Sequence, residues 1–347
     1  MPEDVEHTQA NLPDGPLTER PLSVVIACYR DAGSIREFYR RLSEVLPRVT
    51  PNYEIIYVND ASPDDAEAIL HELAAQDARL VVVNHTRNFG SQNAFLSGMQ
   101  VARGDAIVLM DGDLQDPPRL IPELAARWLE GFDIVYGDRV TRKESLFRRF
   151  AYKAFYRLFR RLSSVPIPVD AGDFGLIDRK VADVLLNEFP EHLVYLRGLR
   201  AYTGFRAAGV PYVRDARYDG RSTNSLRSNI EWAKLAIFSF SKRPLQYISI
   251  LAFLCVVATL LAALIYLGCY FVLPEQPPAG WTTLIMLTLF LGSIQLICFS
   301  IIAEYLAHMY EELKCRPRFI VRDIIDYRPG RSRESHGIEG GHPAERP

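Results

Sequence analysis

The feature that most restricts this chain is a pair of uncharged apolar runs near its end, Leu245–Leu273 and Trp281–Ala303. Each exceeds the roughly 20 residues a helix needs to cross a hydrocarbon layer. A core helix of a water-soluble protein seldom runs so long without a charge, because one face meets water. The link between the runs, Pro274–Gly280, has no lysine or arginine, whereas Lys242 and Arg243 precede the pair and Lys314, Arg316 and Arg318 follow it. Basic flanks stay on the cytoplasmic side. The pattern predicts a two-helix transmembrane hairpin over residues 244–307, with its tip outside and both termini cytoplasmic.

The residues before the hairpin have a different rhythm. Short apolar runs rich in branched side chains, Leu22–Ala27, Tyr53–Val58, Leu80–Val83 and Ala106–Met110, alternate with helical stretches from about Ser34 to Leu46, Ala66 to Gln76 and Gln92 to Ala102. Phe132–Tyr136 reads as a further strand, and the segment from Asp170 to Ile177 returns to the sheet. Strands alternating with helices predict an α/β fold, a Rossmann-like, mostly parallel sheet with helices on both faces. Ligands of such sheets bind beyond the carboxyl ends of the strands. Asp31, Asp60, Arg87 and Asp111 each follow a strand, one group per strand end.

The most informative strand end is Asp111-Gly112-Asp113, stopped by Pro117-Pro118. Side chains two apart on an extended segment face the same way. Two adjacent carboxylates repel unless a cation lies between them, and hard divalent ions such as Mg²⁺ or Mn²⁺ prefer oxygen ligands and often share substrate phosphates. Asp111 and Asp113 are therefore candidate metal ligands. The five cysteines, Cys28, Cys255, Cys269, Cys298 and Cys315, have no paired spacing and predict free thiols and no metal cage. The net charge of −2 gives no field for nucleic acid.

Arg142–Leu162 combines apolar residues at helical spacing with arginine and lysine on the other face. It reads as a basic amphipathic helix for the headgroup layer of an anionic membrane, or else as a core helix with a solvated basic face. A second interfacial helix is expected over 226–243. Residues 1–20 read as a disordered lead, 21–225 as a cytoplasmic domain, and 308–347 as a cytoplasmic tail, disordered from about 329.

Four motifs together, Val-Ile-Ala-Cys-Tyr-Arg-Asp (25–31), Val-Asn-Asp-Ala-Ser-Pro-Asp (58–64), Arg-Asn-Phe-Gly-Ser-Gln (87–92) and Asp-Gly-Asp-Leu-Gln-Asp-Pro-Pro (111–118), carry a resemblance. In them the chain resembles the inverting family 2 glycosyltransferases, and within these the polyprenyl-phosphate glycosyltransferases, over roughly residues 21–327. The resemblance implies a GT-A-type fold and an enzyme that moves a sugar from a nucleotide sugar to a polyprenyl phosphate. UDP-glucose and undecaprenyl phosphate are the expected pair, GDP-mannose the alternative donor. The enzyme would be a multi-pass protein of the bacterial inner membrane, and the resemblance leans towards a homo-tetramer.

Residue by residue, the resemblance implies that Asp31 lies near the ribose and Asp60 near the base, with Arg87, Gln92 and Gly112 in the same donor site. Asp111, Asp113 and Gln115 match the metal and diphosphate motif, and Arg139 a basic residue after the fifth strand. Asp173 falls in the motif of the catalytic acid, with Asp170 its nearby competitor. Arg214, Arg217 and Ser222 match a loop that meets phosphates. The chain departs from the family in having Arg30-Asp31 for Asn-Glu and Ser222-Thr223-Asn224 for Ser-Lys-Tyr, which loses one cation.

Other readings remain open on the residues alone. Asp31 and Asp60 both precede helices and would also serve as N-caps. A processive polysaccharide synthase would have a Gln-x-x-Arg-Trp element, but Trp128, Trp232 and Trp281 lack that setting. A non-catalytic membrane scaffold that binds nucleotide is the remaining class.

Overall fold

A computed structural model describes residues 15–139, 171–192, 194–215, 218, 243–272 and 280–329. The expected lead through residue 14, the basic helix at 142–162, Asp170, Arg217, Ser222, the helix from Leu226 and the tail from residue 330 lie outside the described residues.

The described residues form two compact units. The first is built on an eight-stranded mixed sheet in the order β7-β5-β6-β4-β1-β2-β3-β8. Its first four strands are β1 (Leu22–Cys28), β2 (Tyr53–Asn59), β3 (Leu80–His85) and β4 (Ala106–Asp111). All but the last residue of β4 are buried, as expected of strands covered on both faces. They are parallel, joined through α1 (Ala32–Val49), α2 (Ala66–Gln76) and α3 (Ser91–Val101). α3 lies close enough to the sheet that a side chain at Gly98 would collide with Val25. Because β4 pairs with β1 rather than β3, the strand order reverses at β1, which opens a crevice at its carboxyl end.

The other half of the sheet changes direction. After α4 (Ile121–Leu129) come β5 (Ile134–Arg139) and β6 (Ala171–Asp178), followed by α5 (Arg179–Asn187), α6 (Leu196–Tyr202) and β7 (Ala207–Tyr212). β6 is antiparallel to both β4 and β5, while β5 and β7 are parallel. The carboxyl ends of β5 and β7 therefore lie on the same edge as that of β4. Leu109 pairs with Gly175, so two residues further along the register Asp173 comes level with Asp111.

The sheet ends in a strand that lies within the expected tail. β8 (Val321–Ile325) runs antiparallel to β3, with Val321 opposite His85. Beyond it Arg328 is buried in an ion pair with Glu54, so the ordered fold reaches the last described residues. Only Val321, Ile324 and Ile325 give this stretch apolar character, too few for a strand signal in the sequence.

The second unit contains α7 (Arg243–Val272) and α8 (Trp281–Leu313). Among the described residues one stretch, Leu287–Leu313, is long and apolar enough to cross a membrane, and Leu245–Cys255 is a shorter apolar piece. Leu289, Phe290, Leu296, Ile297 and Phe299 are all exposed. Large apolar side chains lying open in this number call for an apolar surrounding.

Candidate active site

The loops after β1, β2 and β3 are tied together by carboxylates that accept from backbone N–H groups. Asp60 is buried, with Oδ1 accepting from Phe89 N–H at 2.8 Å and Oδ2 from Gly90 N–H at 2.7 Å. Gly90 has φ +88°, a conformation that glycine adopts without strain. Asp64 accepts from Ala32 N–H at 3.0 Å and from the Ser62 hydroxyl at 2.5 Å, and Ser62 accepts from Arg30 N–H at 2.7 Å. The loop after β2 thus fixes the loop that carries Asp31. Asp31 does stand at the N-cap position of α1, but its side chain accepts from Tyr29 N–H at 3.3 Å rather than capping the helix. Asp60 caps no helix; Asp65 holds that place before α2.

Gly112 joins this corner to β4. Its N–H donates to Ala27 O at 2.9 Å, and its carbonyl accepts from the Ser34 hydroxyl at 2.6 Å. A Cβ at Gly112 would stand 3.3 Å from Asp31 Oδ2, so the acid after β1 and the acidic turn after β4 are neighbours. The strand ends at Asp111. Asp113 lies in a turn, where it accepts from Gln115 N–H at 3.1 Å, and Leu114 has φ +56°. The two acids are brought together by a turn rather than by strand alternation.

Around that turn the carboxylates meet arginines. Asp116 is buried; its Oδ1 accepts from the Tyr212 hydroxyl and lies 3.3 Å from Arg214 Nε, while Oδ2 lies 3.8 Å from Arg139 Nη2. Arg214 Nη2 is also 3.9 Å from Asp113 Oδ2, and Arg139 Nε donates to Tyr212 at 3.2 Å. Burial opposes the charge of Arg139, but Asp116 and Tyr212 outweigh it and hold the guanidinium firmly protonated. Asp111 is half-buried, and burial together with Asp173, Asp116 and Asp113 pushes its carboxyl up to about 7, against a smaller pull from Arg214.

Asp173 is buried and engaged. Arg197 grips it with two parallel bonds, Nε to Oδ1 at 3.0 Å and Nη2 to Oδ2 at 2.9 Å. Arg200 donates to the carbonyls of Asp173 at 3.2 Å and Gly172 at 2.8 Å. Gln92, also buried, helps to lower the Asp173 carboxyl and accepts from Leu196 N–H at 2.9 Å. Burial alone would raise the Asp173 carboxyl, but Arg197 outweighs it and holds the group below the usual carboxylate range.

Of the residues singled out in the sequence, Asp31, Asp60, Gln92, Asp111, Gly112, Asp113, Gln115, Arg139, Asp173 and Arg214 come together on one edge of the sheet. Arg87 lies on the same edge but is exposed, its guanidinium 4.3 Å from the Phe89 ring. Asp116, Arg197, Arg200 and Tyr212 join them there without having stood out in the sequence. A signal existed for two of them, since Arg197 and Arg200 are three apart and share a face of α6.

Asp111, Asp113 and Gln115 offer two carboxylates and an amide oxygen, a donor set suited to a hard divalent cation. The Asp111 carboxyl is raised first by burial and then by the negative charge around it, and such an ion would relieve the second. Among the described residues no three His, Cys, Asp or Glu side chains form a closed cage. The residues therefore fit an ion whose remaining ligands come from water and substrate.

Residues 23–186 match the family Glycosyl transferase family 2. An uncharacterised glycosyltransferase of Bacillus subtilis is 38% identical over 91% of this chain and 94% of its own. A prophage-derived bactoprenol glucosyl transferase of Shigella flexneri is 31% identical over 87% of this chain and 97% of its own. A mannosyltransferase from Pyrobaculum calidifontis, solved with GDP-mannose and Mn²⁺, is 19% identical over 87% of this chain and 90% of that one, with a TM-score of 0.45.

Proposed function

The chain belongs to glycosyltransferase family 2, and from that premise we propose that it transfers a hexose, with inversion, from a nucleotide sugar to a polyprenyl phosphate on the cytoplasmic face of a membrane. The observation that carries this reading is the pair Arg139 and Arg214 meeting at Asp116, beside the Asp111–Asp113 turn. Transfer between two phosphates brings two anionic groups to one point, and cations must offset their repulsion. Here two arginines already stand there, balanced by an internal carboxylate in place of substrate.

The acceptor chemistry follows. A phosphate monoester has its second pKa at about 6 and is largely dianionic at neutral pH. Its oxygen attacks the anomeric carbon without a strong general base, and the bonding pair of the broken C–O bond leaves with the nucleoside diphosphate. That agrees with Asp173, whose carboxylate is already occupied by Arg197. Asp173 acts by aiming Arg197 at the reacting groups. A divalent ion on Asp111, Asp113 and Gln115 would neutralise charge growing on the leaving diphosphate.

Asp31, Asp60 and the Phe89–Gly90 turn frame the crevice where the nucleoside is proposed to lie, with UDP-glucose as donor. A lipid acceptor is supported by the relatives named bactoprenol glucosyl transferase and by the exposed apolar surface of α8. Both apolar runs are proposed to span the bacterial inner membrane, with the termini cytoplasmic. The test incubates the purified protein with Mg²⁺, undecaprenyl phosphate and, in turn, labelled UDP-glucose and GDP-mannose. Label passing into the lipid fraction supports the enzyme and selects the donor. Binding without transfer from any donor would favour the scaffold and sink this reading.

A further inference from the structure

His85 has no part in the chemistry above, yet it is buried and bonded on every side. Nδ1 lies 2.8 Å from Asp60 Oδ1, and Nε2 lies 2.8 Å from Ser97 Oγ. A carboxylate can only accept, so Nδ1 carries a proton and donates to Asp60, while Nε2 meets the Ser97 hydroxyl. The ring stacks on Phe319 at 5.6 Å and 11°, and meets Phe89 edge-on at 5.6 Å and 87°. One imidazole thus touches the acid that closes the Phe89–Gly90 turn, the helix α3, and the strap leading into β8.

That strap is bound to the same edge twice more. Thr86 N–H donates to Ile320 O at 3.1 Å, and Asn84 Nδ2 donates to Asp323 Oδ1 at 2.6 Å. Asn84 Oδ1 accepts from Asn59 at 3.0 Å, and Asn59 Oδ1 accepts from Ser62 N–H at 3.0 Å. Ser62 in turn holds Arg30 N–H. Two lines of contact therefore run from residues 319–323 to the loops after β1, β2 and β3, and both end where the nucleoside is proposed to dock.

We propose that His85, backed by the Phe319 ring, is a positioning residue for the nucleoside of the donor, fixing Asp60 and through it the Phe89–Gly90 turn. This rests on the nucleotide-sugar reading of the site. The physical reason is rotational. Asp60 Oδ1 takes one bond from the backbone and one from His85. Asp60's own N–H donates to Cys28 O at 3.0 Å, but without the imidazole its carboxylate keeps only its two backbone donors, both on the turn it is meant to hold, and no side chain of the sheet fixes its rotation. Stacking on Phe319 sets the plane of the ring, so the strap governs the direction in which Nδ1–H points.

The test uses the full chain in detergent with Mg²⁺. UDP affinity is measured by calorimetry, and initial rates are taken with varied UDP-glucose at saturating undecaprenyl phosphate. His85→Leu raises both the Kd for UDP and the KM for UDP-glucose by about tenfold, the size of one lost bond to a charged group. Phe319→Leu stays buried but loses the stack, and raises them by about threefold. In both, kcat and the acceptor KM stay within about twofold of wild type, because uniform binding alone is lost. His85→Asn, which keeps an N–H towards Asp60, recovers most of the affinity. Folded Leu variants that bind UDP as wild type does would overturn the proposal. So would affinity, kcat and Tm falling together without rescue by Asn, the mark of a merely structural side chain. Should wild type prefer GDP, the same ratios are read with GDP. A wild-type protein that binds neither overturns the nucleotide reading, and this inference with it.

Discussion

At the carboxyl ends of β1, β2 and β3 the carboxylates are met mainly by backbone N–H groups, whereas at those of β4, β5 and β7 they are met mainly by arginines and by one another. Asp60 and Asp64 accept from Phe89, Gly90, Ala32 and Ala66. Asp116 and Asp173 are held by Arg139, Arg214 and Arg197. An acid bound to backbone cannot change partner unless its loop moves. An acid bound to a long side chain can give that partner up to an incoming anion at little backbone cost. The first half is a fixed frame; the second is a charge cluster that neutralises itself, and on the proposed reading substrate phosphates replace its internal acids.

The strongest blow to this contrast falls on the acidic turn. Asp113→Asn keeps the shape and removes one charge, so the protein folds and inserts as before. Transfer to lipid drops by about a thousandfold or more, the scale of losing a main electrostatic contact in the transition state. Circular dichroism and the transfer assay on one preparation separate the two effects; near-normal turnover would discredit the metal and diphosphate assignment.

Next in size is the Asp173–Arg197 pair. If Asp173 works by aiming Arg197, then Asp173→Asn and Arg197→Gln each lower kcat by about a hundredfold, and the double variant is little worse than either. If Asp173 were an independent base, the losses would multiply. A double-mutant cycle on kcat distinguishes the two, and the pH profile adds a second reading. Because Arg197 holds the Asp173 carboxyl below its ordinary range, its ionisation leaves no step in rate above pH 4 in the wild type.

The contrast also explains what could be read in advance. The frame half was legible because its strands are unbroken apolar runs, Val24–Cys28, Ile55–Val58 and Val81–Val83, each followed within two residues by its polar loop. Asp31, Asp60 and Asp111 stand where strand order alone would put them. Beyond Asp111 and Asp113 the cluster half was legible only through resemblance, because Asp173 is on the strand antiparallel to β4 and its partners lie far along the chain. Nothing local ties Asp116 to Tyr212, 96 residues away, or Glu54 to Arg328, 274 residues away. Local periodicity cannot report a contact that depends on sheet order. β8 escaped for a related reason: an edge strand with Arg322 and Asp323 in its middle has too little apolar character to announce itself.

A smaller effect sharpens the frame side. Asp64→Ala leaves Ala32 N–H, Ala66 N–H and the Ser62 hydroxyl without their acceptor. Stability falls by about 2 kcal/mol, with a loss of donor affinity that tracks the disorder of the loop after β1. Thermal melting and UDP titration on the same sample give both values; an unchanged melt would mean that the frame is not held by this carboxylate.

The smallest effect has the opposite sign. Asp111 has its carboxyl raised to about 7 in the folded chain by burial and by Asp173, Asp116 and Asp113, against an ordinary value of 3.8. A raised acid binds its proton more tightly when folded, so its charge opposes folding above pH 7, and the penalty shrinks as the pH falls towards 3.8. With chelator present, Asp111→Asn therefore melts roughly 2–4 °C higher than wild type at pH 8, a difference that fades by about pH 4. Mg²⁺ reverses the order, because a cation bound to the folded state stabilises the wild type and finds one carboxylate fewer in the variant. A backbone-held acid such as Asp64 gives neither the gain nor the reversal, so a melt series with and without Mg²⁺ tests whether the two halves of the edge differ in kind.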